Sequence, residues 1–223
     1  MQYIVGTGRC GTKSLARLLG GLHEPAPAIV AESRDFYFGR RRSLPRLLEK
    51  LARRAALPTP AIADNRQSYV IPLILEVDFT AEFVLLVREP RTCIASMHGR
   101  GAFQRPKWYW DRHRIAPRTG FPNDWTPVMK LCWSWIETHR VILSSLGAAN
   151  VRILLTSDLP GTLENASAAR PALTFSETEQ RFFDEHVVPF WREIQKLHAA
   201  TKRFDISPCH PVATFEAFVT PTA

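Results

Sequence analysis

The chain lacks any apolar run approaching the ~18 residues that a membrane-spanning helix requires, although hydrophobic residues fill 45% of its 223 positions. A soluble protein that does not enter a membrane is expected. Cysteine is scarce and scattered: Cys10, Cys93, Cys132 and Cys209 form no CxxC pair, and none stands at metal-ligand spacing with a histidine. Reduced thiols and no bound metal are the expectation. Acidic residues are in deficit, 21 Asp and Glu against 29 Lys and Arg for a formal charge of +8, which favours an anionic ligand or surface. Internal repeats are absent. So is a leading stretch before the first apolar segment, "QYIV", that a signal or transit peptide would occupy, and a cytoplasmic location is expected.

The length suits one α/β domain, taken as residues 1–223. Residues 2–6 read as a strand ending in glycine, and 12–20 as a helix with leucines at 15, 18 and 19. Residues 25–33 read as a loop or short strand, 40–54 as a basic helix with interleaved leucines, 59–65 as a buried strand and 68–78 as a helix. The basic helix reads as a solvated face, with attraction of substrate or of a membrane surface as the alternative. "EFVLLVREP" at 82–90 is the clearest strand, stopped by its proline, and 91–99 turn helical. Residues 100–125, rich in aromatics, Arg, Pro and Gly without a sustained period, fit a lid of loops and short helices. A long amphipathic helix over 126–146 carries Trp133 and Trp135, both expected in the core, and "NVRILLTSDL" at 150–159 is a last strand. Ser176 with Glu179 three residues later predicts a capped helix from 176 to about 200. Residues 204–223 read as a surface-wrapping tail.

Strands alternating with helices predict a three-layer α/β/α arrangement with a mainly parallel central sheet. A ligand then lies beyond the carboxyl ends of the strands. Those ends carry the glycine loop, Asp64-Asn65-Arg66, Arg88-Glu89-Pro90 and Ser157-Asp158.

"IVGTGRCGTKSLARLL" at 4–19 runs from a strand through a glycine-rich turn into a helix, which exposes backbone N–H groups to an anion. Gly6, Gly8 and Gly11 allow close backbone approach, Arg9 supplies a forked cation, and Thr12, Lys13 and Ser14 add donors. The usual ATP loop has Lys directly after its last glycine; here Thr12 intervenes. An ATP-hydrolysing site also wants an acidic residue for magnesium after an apolar strand, yet "FVLLVREP" ends its strand in Arg88. An arginine there, with Ser96 eight residues on, suits a second phosphate.

"GTGRCGTKSL" resembles the loop with which sulfotransferases bind the 5′-phosphosulfate of 3′-phosphoadenylyl sulfate (PAPS), and "LLVREPRTCIASMHGR" resembles their 3′-phosphate motif. "IADNRQSY" and "NVRILLTSDL" are similar to two further strand-end segments of that family, in the family's order over residues 2–159. The resemblance implies a P-loop NTPase-like sulfotransferase fold and metal-free transfer from PAPS, leaving adenosine 3′,5′-bisphosphate (PAP). It implies that Gly8, Arg9, Cys10, Gly11, Thr12, Lys13 and Ser14 hold the 5′-phosphate, with Arg9 facing the sulfuryl group, and that Arg88 and Ser96 hold the 3′-phosphate. The partner implied is a small hydroxyl- or amine-bearing acceptor, a metabolite or natural product, with no nucleic acid and no membrane involved.

A base is needed for the acceptor proton. Asp64 is the first candidate, as the counterpart of a family carboxylate; His23 follows, then Glu24 and Glu32, with His98 near Ser96. Trp108, Tyr109 and Trp110 of the lid either stack on adenine or acceptor or pack in the core. Two other readings stay open: an ATP-dependent small-molecule kinase, in which Asp158 replaces the missing acidic residue, and a basic nucleic-acid-binding module, which would bind with steep salt dependence.

Overall fold

A computed structural model describes residues 1–104, 116–117, 119–147, 151–159 and 173–201. Lid residues Trp108, Tyr109 and Trp110 and the tail at 204–223 lie outside the described residues, as does Cys209.

Five parallel strands form the sheet: β1 (Gln2–Val5), β2 (Leu22–His23), β3 (Ala61–Ala63), β4 (Glu82–Val87) and β5 (Val151–Leu155), in the order β2-β3-β1-β4-β5. Strands buried on both faces read as continuous apolar runs, which is why "QYIV" and "EFVLLV" stand out. Alternation splits each run between two layers. Tyr3, Val5, Phe83, Leu85 and Val87 join one core cluster, and Ile4, Ala63, Val84 and Leu86 join the other with Leu15 and Ala16. Full burial of one such aliphatic or aromatic side chain contributes about 1.5–3 kcal/mol. The sheet is therefore the middle of three layers, as expected.

The helices are α1 (Thr12–Leu18), α2 (Val30–Tyr37), α3 (Leu44–Ala55), α4 (Ile71–Val77), α5 (Pro90–His98), α6 (Pro127–Leu146), α7 (Glu177–Phe182) and α8 (Val188–Thr201). Among the described residues no helix is long and apolar enough to cross a membrane. Helix α2 departs from the loop or short strand expected over 25–33. It buries Glu32 and Ser33, so its inward face carries no apolar period for a sequence to display. Residues 68–78 divide into a 3-10 turn, Asn65–Tyr69, and α4. Ser176 and Glu179 cap α7 reciprocally, as their spacing predicts. The single helix expected beyond them is interrupted by a π-helical segment, Phe183–Val187. Pro189 explains the interruption: it has no N–H for the carbonyl of Glu185, and its ring crowds that carbonyl in a regular turn.

Trp135 is fully buried as expected, whereas Trp133 is only partly buried and packs edge-on against Phe121. Two residues on a helix are separated by about 200°, so one faced the core and the other turned outward.

Candidate functional site

In this strand order, β1 lies between β3 and β4, and the connections leaving β1 and β3 run to opposite sides of it. That is the switch point at which an open parallel sheet forms its crevice. The loop after β1 occupies it. Gly6 has φ 151°, and a Cβ there would meet the carbonyl oxygen of Leu86 at 2.5 Å. Only glycine lets the loop leave β1 so close to β4. Ser68 Oγ, at the end of β3, accepts from Gly6 N at 3.1 Å and donates to Gly6 O at 3.2 Å, tying the loop to its other neighbour.

Arg9 takes left-handed backbone, φ 73°, uncommon for a residue with a side chain. Its exposed side chain donates from Nε to Ser96 Oγ of α5 at 3.3 Å, and Arg88 Nη1 donates to the Arg9 carbonyl at 3.3 Å. The loop, the β4 end and α5 thus bring together Arg9, Arg88 and Ser96, three residues far apart in the chain. Cys10 is fully buried, with its thiol 2.7 Å from the Thr7 carbonyl; burial, and to a lesser extent Cys93, push its ionisation far above the ordinary thiol range. Its side chain is inert packing. Gly8 lies beside Asn65, Thr12 is buried, Ser14 is partly buried, and Lys13 is exposed on the first turn of α1.

A cavity of about 240 Å³ opens here, lined by Cys10, Gly11, Ser14, Arg88, Thr156 and Trp191 among others. Trp191, from α8, is a cleft residue that sequence reasoning missed. Nothing local marks it, because a Trp on an amphipathic helix looks the same whether it meets core or cleft. Glu89 also borders the cavity, but its carboxylate accepts from Arg91 N and Thr92 N and so caps α5.

The candidate bases fall in different surroundings. Asp64 has no exposed surface. Oδ2 accepts from Arg54 Nη1 at 2.9 Å, and Oδ1 accepts from Arg66 Nε at 2.6 Å and Arg66 N at 3.0 Å. These contacts do not suit the base expected at Asp64, since both oxygens already face guanidinium groups and the side chain has no exposed surface. Glu32 is likewise unsuited: it is buried against Lys50 at 2.6 Å and Arg46 at 3.3 Å. Burial pushes its carboxyl up, but the Lys50 hydrogen bond and the neighbouring cations outweigh this and hold it below the usual range. Glu24 directly follows β2, 44% exposed, paired with Arg66 Nη2 at 2.7 Å. His23 is exposed at the carboxyl end of β2. Partial burial of the ring lowers its ionisation below 6.5, Glu24 and Asp64 oppose this, and Lys13 and Arg66 reinforce it. His98 ends α5, partly buried. Asp158 accepts from Leu155 N at 3.0 Å and lies 2.8 Å from His198 Nε2, so both contacts belong to the turn after β5 and its packing on α8.

Comparison with models of protein families finds no match, and neither does comparison with curated protein sequences. Among solved structures the chain is similar to a sulfotransferase from Alicyclobacillus acidocaldarius, with 13% identity and a TM-score of 0.50, over 89% of this chain and 95% of that one. At that identity the likeness is one of fold: a parallel sheet flanked by helices, shared over nearly the whole described chain.

Proposed function

We propose that the protein is a sulfotransferase that moves the sulfuryl group of PAPS to a hydroxyl or amine of a small acceptor. The observation that carries this reading is the convergence of Arg9, Ser96 and Arg88 beside a cleft at the switch point of the sheet. Two cationic side chains at one cleft suit a nucleotide that carries phosphate at both its 5′ and 3′ positions. The residues around the cleft fit such a donor: Gly11 and Ser14 border the 5′ end, Arg88 and Ser96 take the 3′-phosphate, and Trp191 offers an apolar face for the purine.

In the reaction the acceptor oxygen or nitrogen forms a bond to sulfur in line with the bond that breaks, between sulfur and the phosphate oxygen of the donor. Negative charge builds on that departing oxygen, and Arg9 neutralises it. The acceptor proton passes to the neutral imidazole of His23 and then to water. Asp64 and Glu24 act as fixed charges around that step.

Titration calorimetry of the purified protein with PAP, and separately with ATP and magnesium, tests the donor. Micromolar binding of PAP alone is expected; binding of ATP with magnesium alone overturns the reading. Arg88→Ala is expected to weaken PAP binding by about 10–100-fold, the loss of a charge-assisted pair to phosphate, and to leave turnover at saturating donor nearly unchanged.

The pH dependence follows from His23. A base works in its deprotonated form, and a lowered imidazole value keeps it deprotonated to lower pH. The rate is therefore expected to fall on the acid side with a slope of one proton, with its midpoint below the ordinary imidazole value. His23→Gln is expected to remove that limb and to slow transfer by about 10²–10⁴-fold. An acid limb that survives in His23→Gln would give the role to another group.

A further inference from the structure

The basic run of α3 reads from sequence as a solvated face, and Arg46 and Arg53 are 73% and 67% exposed. Arg54 breaks the pattern, at 1% exposed. Its planar guanidinium donates in three directions: Nε to the Pro27 carbonyl at 2.9 Å, Nη2 to the Pro25 carbonyl at 2.7 Å and Nη1 to Asp64 Oδ2 at 2.9 Å. These acceptors belong to the loop after β2 and to the end of β3. Beyond Asp64 the charges continue to alternate through Arg66 to Glu24. Side-chain exposure along this series runs 1%, 0%, 12% and 44%, from the interior to the surface. Glu24, at its outer end, holds left-handed backbone with φ 49°, a conformation that persists only where the surroundings impose it.

We propose that Arg54 is a positioning residue: it clamps the loop of Glu24–Ala28 onto the end of β3 and so sets where His23 and Glu24 stand. Lysine cannot replace it, because an ammonium has no fixed planar fork. A buried ion pair adds little net stability compared with apolar packing of the same volume, so its value lies in placement. The consequence for an acceptor rests on the sulfotransferase reading; the clamp does not.

The test follows the His23 imidazole by NMR titration in the full chain, alongside PAP titration. The charged groups facing His23 are Glu24 beside it, Asp64 and Arg66 at the end of β3, and Lys13 on α1. In Arg54→Met the charge of Asp64 loses its buried partner and weighs on the imidazole, so the midpoint is expected to rise by about half a unit or more. PAP affinity in that variant should stay within about twofold of the parent, since the clamp and the donor cleft are separate. The double variant Arg54→Met with Asp64→Asn buries no unpaired charge and covers the case in which the single variant fails to fold. There Arg66 is opposed by Glu24 alone, and the midpoint is expected to fall below the parent value. Arg54→Lys keeps the charge and loses the fork: displaced His23 imidazole resonances in that variant are expected from loss of placement, and parent-like resonances there would make Arg54 a brace for stability alone and overturn the proposal. A midpoint that stays at the parent value in whichever variants fold overturns the proposal. Absence of PAP binding in the parent protein would instead overturn the donor reading, and the His23 midpoints would still decide the clamp.

Discussion

Arg9→Ala is expected to lower turnover by about 10²–10³-fold, the size of effect seen when one donor to a developing oxyanion is removed. PAP affinity should change by less than about tenfold in the same variant, because the backbone groups of the loop and the Arg88 side chain remain. The structural basis is the pairing of Arg9 Nε with Ser96 Oγ, which orients an otherwise exposed guanidinium. A side chain oriented before the donor arrives loses less entropy at the moment of transfer. Both arginine and alanine have a Cβ, so the left-handed backbone at this position is equally costly for each and does not confuse the comparison. Steady-state kinetics at saturating donor, set beside calorimetry with PAP, separates the two effects. Equal losses in both would make Arg9 an ordinary anchor of the donor.

Asp64→Asn carries the second large effect, on stability. The carboxylate is fully buried between Arg54 and Arg66, and an amide of nearly the same shape leaves the Arg54 charge in the interior without a countercharge. Breaking a buried pair from one side costs about 3–5 kcal/mol, and for a chain of this size that lowers the melting temperature by roughly 6–20 °C. Thermal unfolding followed by circular dichroism measures it. The same variant separates the two roles open to Asp64. If it were the base, Asp64→Asn would abolish the acid limb of the rate profile. As a fixed charge, it is expected to leave a single-proton limb in place and to lower the melting temperature.

The glycine loop after β1 was legible because its requirements are local. A position where a Cβ would sit 2.5 Å from a carbonyl oxygen, as at Gly6 beside Leu86, leaves a mark in the sequence, and so does an arginine placed directly after an apolar strand. The capping of α7 was legible for the same reason, since Ser176 and Glu179 satisfy each other's backbone within one turn. Helix α2 and the fates of Asp64 and Arg54 were not, because their partners come from elsewhere in the chain. Glu32 is buried only because Lys50 and Arg46 of α3 meet it, and Arg54 looks like any exposed arginine until Pro25, Pro27 and Asp64 surround it. Trp191 became a cleft residue through the packing of α8 on β5, which no periodicity encodes.

By itself the sequence determined the alternation of strands and helices, the glycine loop at the first strand end and the arginine at the fourth. Backbone sterics and hydrophobic period are properties of neighbouring residues, and a linear text records them. Only the tertiary structure decided that Asp64 and Glu32 are buried against cations while Glu24 keeps 44% of its side chain exposed. A carboxylate's chemistry depends on the charges and the water around it, and those are set by which distant side chains the fold brings within about 3 Å.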